Sequence, residues 1–251
     1  MQNLFSILAS FSPISLEEMD HVKLLDRIDT KFVLHEDQLP EYLTALNTHY
    51  SLLNISGVQL HSYETLYFDT PDYNLYRMHH NGRRNRFKLR CRKYVNSGIA
   101  YFEIKSKTNT RRTIKKRIRI DNIPETLNEQ LRQYISQHTP DNYNNFVPSL
   151  HVYFDRLTFV NKQANERLTM DLNLRYRKNG EEKKIDKIVI VEVKQEKHSI
   201  SPFRQLMKKQ RLQNNYLSKY CLGLICLIKG IKMNRFQQKI NALTKLGYDI
   251  H

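Results

Sequence analysis

The chain has 251 residues, room for one large domain or two small ones around a hydrophobic core, and 41 Lys and Arg against 25 Asp and Glu give a formal charge of +16. Hydrophobic residues at 40% and aromatics at 10% exclude a disordered polycation, and no apolar run approaches the ~18 residues that span a membrane, residues 221–228 coming nearest. The apolar patch at 4–11 has no Lys or Arg before it and makes a poor signal peptide. Three cysteines, Cys91, Cys221 and Cys226, lack CxxC spacing; this argues against structural zinc or a disulfide framework and points to a reducing, cytoplasmic location. The excess of positive charge calls for an anionic partner: nucleic acid, an anionic membrane surface, a nucleotide or another polyanion.

In chain order, Ser15-Leu-Glu-Glu18 fits a capping box opening a helix to about Leu25, and residues 37–49 carry helical spacing. From Tyr63 the period changes to two. Residues 63–68 read as a strand, Asp69-Thr-Pro-Asp72 as its turn, and His79-His80 as a further turn. Residues 85–94, 100–107 and 113–120 read as three successive strands, the first two joined at Asn96-Ser-Gly98. A helix is expected over 124–137, then strands over 151–160, 166–176 and 187–194. Ser201-Pro202 starts a helix; 218–228 is ambiguous; Asn234 opens a closing helix to about 248. The balance is α+β with a largely antiparallel sheet.

Residues two apart on a strand share a face. Arg86, Lys88, Arg90 and Arg92 therefore lie opposite Phe87, Leu89 and Cys91; Glu103, Lys105 and Lys107 opposite Phe102 and Ile104; Lys115, Arg117 and Arg119 opposite Ile114, Ile118 and Ile120; and Glu192 and Lys194 opposite Val191 and Val193. On 166–176, Arg167, Thr169 and Asp171 share the polar face, and an Arg167–Asp171 ion pair is expected there. Cationic rows on neighbouring strands repel unless a polyanion lies between them. Glu103 and Glu192, each two residues before a Lys, are candidate ligands of a hard divalent cation shared with phosphate. Closed into a barrel, these faces would line a wet, basic tunnel. Cys91 reads as core, Asp69 and Asp72 as turn caps, and Arg111, Arg112, Lys208, Lys209 and Arg211 as solvated.

Eight short motifs occur in order: Arg27-Ile-Asp-Thr-Lys-Phe-Val33, Tyr67-Phe-Asp-Thr-Pro-Asp-Tyr73, Lys88-Leu-Arg-Cys-Arg92, Phe102-Glu-Ile-Lys105, Tyr153-Phe-Asp-Arg156, Arg167-Leu-Thr-Met-Asp171, Val191-Glu-Val-Lys194 and Leu217-Ser-Lys-Tyr220. Together they resemble the VTC domain, the polyphosphate polymerase domain of the vacuolar transporter chaperone complex and its stand-alone prokaryotic relatives, within the triphosphate tunnel metalloenzyme (CYTH-like) superfamily. The resemblance covers about 20–230 of a chain read as one domain over 1–251. It implies an antiparallel eight-stranded tunnel barrel with flanking helices, and transfer of the ATP γ-phosphate to a growing polyphosphate chain with Mn²⁺ or Mg²⁺. It implies catalytic roles for Lys31, Arg90, Arg92, Lys105, Arg156 and Lys219. Lys88, Lys194, Ser218, Arg27 and Arg117 would bind substrate, and Glu192, with Glu103, would bind metal.

One departure is Tyr216, where the eukaryotic domain has a Lys; it bears on acceptor handling rather than on phosphate binding. The chain also has Arg27-x-Asp29-x-Lys31 in place of the Glu-x-Glu-x-Lys opening of tunnel triphosphatases, which tilts the choice away from hydrolysis. A metal-dependent triphosphatase and a non-catalytic polyphosphate or nucleic-acid binder stand as alternatives. Nucleic acid is disfavoured, because the aromatics fall in core-like alternation rather than on a stacking face. A membrane-protein partner is left open.

Overall fold

The computed structural model describes residues 2–20, 27–109, 113–139, 145–197, 199–214 and 217–248. The chain runs through α1 (Gln2–Ala9), β1 (Pro13–Ile14), α2 (Leu16–Asp20), β2 (Arg27–His35), α3 (Leu39–Leu46), β3 (Tyr50–Leu53), β4 (His61–Asp69) and α4 (Asn74–His80). It continues through β5 (Arg86–Tyr94), β6 (Ile99–Lys107), β7 (Thr113–Ile120), α5 (Glu129–Ser136), β8 (Val147–Asn161), β9 (Glu166–Lys178), β10 (Glu181–Ile185) and β11 (Ile188–Glu196), then α6 (Pro202–Lys209), α7 (Lys219–Leu227) and α8 (Gln237–Thr244).

The sheet has the strand order β2-β11-β9-β8-β4-β5-β6-β7, with β10 beside β9 and β3, joined by β1, beside β8. Every neighbour along the eight-strand path is antiparallel. This is the expected α+β architecture, with one qualification. The end strands β2 and β7 are not hydrogen-bonded to each other among the described residues, so the ladder is not closed. The sheet nevertheless curls. Lys105 on β6 is acted on by Glu192 and Lys194 on β11, five strand spacings away along the order, roughly 24 Å in a flat sheet.

Side-chain alternation sends apolar residues outward and charged ones inward. On the outer face, Leu66, Phe68, Leu89, Cys91, Phe102 and Ile104 pack under Leu75 and Met78 of α4 and Leu131 and Ile135 of α5. A second outer core joins Phe32, Leu168, Met170, Val191 and Val193 to Leu8 of α1, Tyr42 and Leu43 of α3, and Phe203 and Met207 of α6. A third core lies on the inner face, where Leu222, Leu224 and Ile225 of α7 and Ile240 and Leu243 of α8 cover Leu150, Val152, Phe154 and Ile190. Helix α7 thus occupies part of the concavity and leaves the rest to charge.

Local chemistry explains where the elements differ from expectation. Ser15 Oγ accepts from the Glu18 N–H and Glu18 returns a bond to the Ser15 N–H, the expected capping box; its helix is described as far as Asp20. The helix expected over 124–137 is α5 alone, because Asn128 caps it by accepting from the Leu131 N–H. His79 and His80 end a helix rather than form a turn. Buried Asp69 accepts from the N–H groups of Leu75 and Tyr76 and so nucleates α4. Ser201 caps α6 through the Arg204 N–H, as the Ser-Pro signal suggested.

Candidate active site

Three carboxylates organise the inner face, each held between two cations. Glu192 on β11 sits directly across from Lys31 on β2 and ion-pairs with it; its other oxygen takes Lys194 Nζ at 3.2 Å. Glu103 on β6 lies opposite Arg90 on β5, whose Nε and Nη2 stand 2.7 and 2.6 Å from one oxygen, while Lys115 of β7 engages the other. Asp171 on β9 lies opposite Arg156 on β8 and receives a forked pair from Nε at 2.5 Å and Nη2 at 2.8 Å, with Lys219 as second cation. In place of the Arg167–Asp171 pair expected from sequence, Asp171 takes these two partners: Arg167 lies four residues away along the same extended strand, roughly 13 Å, whereas the register sets Arg156 directly across from Asp171.

Electrostatics keep all three acids ionised. Burial opposes the charge of Glu103, but Arg90, Arg92 and Lys115 outweigh it and lower its pKa to about 2. Arg156 and Lys219 likewise overcome burial and bring Asp171 to about 2. Lys194, Lys31 and Arg156 hold Glu192 well below the usual carboxylate range despite its burial. None of the three has the proton affinity of a general base at neutral pH.

Three further cations on this face, Lys88, Arg92 and Lys105, have no such partner among the described residues. Lys88 of β5 and Lys105 of β6 face each other directly, and neither they nor Arg92 meets a carboxylate among the described residues. Like charges at opposed positions destabilise a sheet. Lys105 registers the cost: burial first, then Arg90, Lys194 and Lys88, lower its ammonium to about 8, with Glu192 opposing. Its side chain is water-accessible yet surrounded by protein, the situation of a residue lining a lumen. Arg92 is buried, donates through Nε to Thr65 Oγ1 at 3.3 Å, and lies 5.5 and 5.7 Å from the stacked rings of Tyr63 and Phe154.

Of the other residues singled out by sequence, Lys219 opens α7 beside Asp171, and Ser218 caps that helix by accepting from the Cys221 N–H at 3.2 Å. Arg117 shares the row of Arg90 and Glu103 but rests on Tyr101, 4.4 Å from the ring centre. Arg27 belongs to β2; its side chain, Tyr216, Arg111 and Arg112 lie outside the described residues. Cys91 is core. Asp69 caps α4, whereas exposed Asp72 ion-pairs with Arg77. Lys208, Lys209 and Arg211 are exposed.

Two inner-face residues went unmarked in the sequence. Lys115 had a signal, the β7 row, but nothing singled it out from its neighbours. Tyr67 on β4 lies opposite Arg90, whose Nη1 is 3.4 Å from its hydroxyl, and its ring packs on Tyr220 at 5.0 Å. Burial opposes ionisation of this phenol, but Arg90, Arg92 and Lys88 together bring it down to about 8.

A divalent cation fits one of the two acids expected to bind it. Glu192 is partly accessible and its partners are flexible lysines; one carboxylate completed by substrate oxygens and water is a donor set hard cations accept. Glu103 is 1% exposed with both oxygens in ion pairs, which suits an anchor for Arg90. Among the described residues no three His, Cys, Asp or Glu side chains cluster as a metal site by themselves. No described helix is long and apolar enough to cross a membrane.

The VTC-domain family model matches residues 26–228. No curated protein matches the chain significantly. Among solved structures, the chain is similar to a putative adenylyl cyclase from Hippeastrum, described as having a dominant triphosphatase activity. The two share 16% identity over 78% of this chain and 94% of that one, with a TM-score of 0.49. It is also similar to a conserved hypothetical protein from Pyrococcus furiosus (16% identity, 77% and 96% coverage, TM-score 0.42) and to a protein from Pyrococcus horikoshii (14%, 78% and 98%, TM-score 0.42).

Proposed function

The chain belongs to the VTC-domain family, and from that premise we propose that it is a metal-dependent polyphosphate polymerase, transferring the γ-phosphate of ATP to the end of an inorganic polyphosphate chain. The observation that carries this reading is the inner-face charge pattern. Three carboxylates are each held by two cations, and Lys88, Arg92 and Lys105 stand on the same face with no carboxylate in contact among the described residues. That arrangement is costly empty and favourable around a linear polyanion.

Phosphoryl transfer asks the protein for alignment and charge neutralisation rather than covalent chemistry. Arg90, Arg92 and Arg156 carry planar forks for phosphate oxygens, two of them oriented by carboxylates on the neighbouring strand. Lys31, Lys88, Lys105, Lys194 and Lys219 act as point charges along the chain, and Arg117 extends the Arg90 row at the β7 edge. Arg27 of β2 and Ser218, the cap of α7, complete the substrate-binding set of this reading. Glu192 would hold Mn²⁺ or Mg²⁺, which would supply positive charge against the phosphate oxygens. Glu103 positions Arg90. The nucleophile is a terminal phosphate oxygen of the acceptor, already ionised, so no protein base is assigned. ATP and inorganic polyphosphate are the partners.

Glu192→Gln tests the assignment. Turnover falls by at least about a hundredfold. Tripolyphosphate affinity holds or rises, because Lys31 and Lys194 lose their internal anion. Undiminished turnover in this variant sinks the metal assignment.

A further inference from the structure

Beyond the three acid-centred clusters lies a cleft of about 570 Å³ at the start of β5 and the end of β6. Arg83, Arg84 and Arg86 line it from one strand entry and Ser106, Lys107 and Thr108 from the facing strand exit, and among the described residues no carboxylate lines it. Arg83 and Arg84 are exposed, and Arg86 is tethered through Nη1 to the Arg83 carbonyl at 2.5 Å.

Arg86 links this cleft to the interior. It begins the row Arg86, Lys88, Arg90, Arg92, whose members share one face of β5 and recur every ~6.7 Å. The track therefore runs about 20 Å from the cleft to Arg92 at the inner aromatic pair. Charge compensation differs along it. At its inner part, Glu103 neutralises Arg90. At its outer part, no acid answers Lys88 or Arg86 among the described residues. Burial lowers the proton affinity of both; Arg90 and Arg86 add to the effect on Lys88. The nearby His79 ring, with neither nitrogen hydrogen-bonded, is lowered to about 2 by burial and by Lys88, Arg86, Lys239 and Lys107. Cations converge here from β5, β6 and α8.

We propose that this cleft is a second polyanion site, which holds the distal part of an inorganic polyphosphate chain whose end lies among the central cations. The proposal rests on the polymerase reading for the identity of the chain. A base-reading nucleic-acid site needs open aromatic faces for stacking. Of the aromatic rings among the described lining residues, Phe87 is buried in the outer core and His138 already packs on Tyr134, 4.4 Å between ring centres. The track also gives the bound chain a direction: it leaves the inner face where β5 begins and β6 ends.

The test compares binding of long-chain polyphosphate and of tripolyphosphate to the full chain by calorimetry, in wild type, in R83Q/R84Q, and in K208Q/K209Q. The last removes equal charge from the exposed face of α6. R83Q/R84Q is expected to weaken long-chain binding about tenfold, the scale of lost charged hydrogen bonds, and to leave tripolyphosphate unchanged. K208Q/K209Q should bind both like wild type. The proposal is overturned by unchanged long-chain affinity in R83Q/R84Q, by an equal loss for tripolyphosphate, or by an equal loss in K208Q/K209Q. A single-stranded DNA of matched charge that binds as tightly and is lost in parallel overturns it in favour of a nucleic-acid site. Failure of the polymerase reading shows elsewhere, as absence of product from ATP while the chain-length difference in binding persists.

Discussion

Tyr67 shows how three cations can outweigh the burial of a phenol. Arg90, Arg92 and Lys88 bring it to about 8, below the 10 of a free phenol. A tyrosine whose folded pKa is depressed adds stability above the unfolded pKa and loses it as pH falls through about 8, so it contributes nothing at pH 7. Ultraviolet titration of wild type should show phenolate appearing near pH 8, absent in Tyr67→Phe. Added tripolyphosphate should move this step upward by neutralising the same cations. Titration of every tyrosine above about pH 9.5 would contradict the account. Tyr67 was not legible as a site residue, because an aromatic at period two reads as core. Glu103 was legible as an acid amid bases but not as an Arg90 anchor. That distinction depends on Lys115 arriving from a third strand.

At the scale of elements, α7 carries the most consequence for the least sequence signal. Residues from Lys219 to Ile225 are all buried, so the segment has no polar face and no helical period to read. Its glycine is the reason it fits. A methyl group at Gly223 would stand 2.4 Å from Tyr176 Cδ1 and 2.7 Å from Leu150 Cδ2, both on the sheet beneath. Gly223→Ala gains about 1 kcal/mol in helix propensity. Overpacking costs about 1–3 kcal/mol, and more where ring atoms must move. Denaturant unfolding should give a lower midpoint with an unchanged slope, and phosphate binding should weaken as Lys219 shifts from Asp171. A raised midpoint would mean that α7 stands off the sheet. The strands were readable because one face of each is apolar and the other charged. Helix α4, where only turns were expected, and the bounds of α5 were not, since Asp69 and Asn128 set them through side-chain caps.

For the whole molecule, fold and charge pattern are one design. An antiparallel sheet that curls turns its polar faces toward each other, and with bases in excess of acids among the described inner-face residues the interior is stable only with anions or water in it. The sequence held most of the path strands as motifs, though not their order in the sheet, and it held the cationic rows. It did not hold the pairing of cations with acids, which depends on register between strands distant in the chain, as between Arg156 and Asp171 or Lys31 and Glu192. Nor did it show that, among the described residues, β2 and β7 are not paired with each other. The central claim is that the acceptor at this site is a phosphate chain, not water. The most direct measurement incubates the purified chain with ATP and Mn²⁺, with and without a short polyphosphate primer, and resolves the products by gel. The account predicts long polyphosphate formed with matching ADP and accelerated by primer; free phosphate without polymer would contradict it.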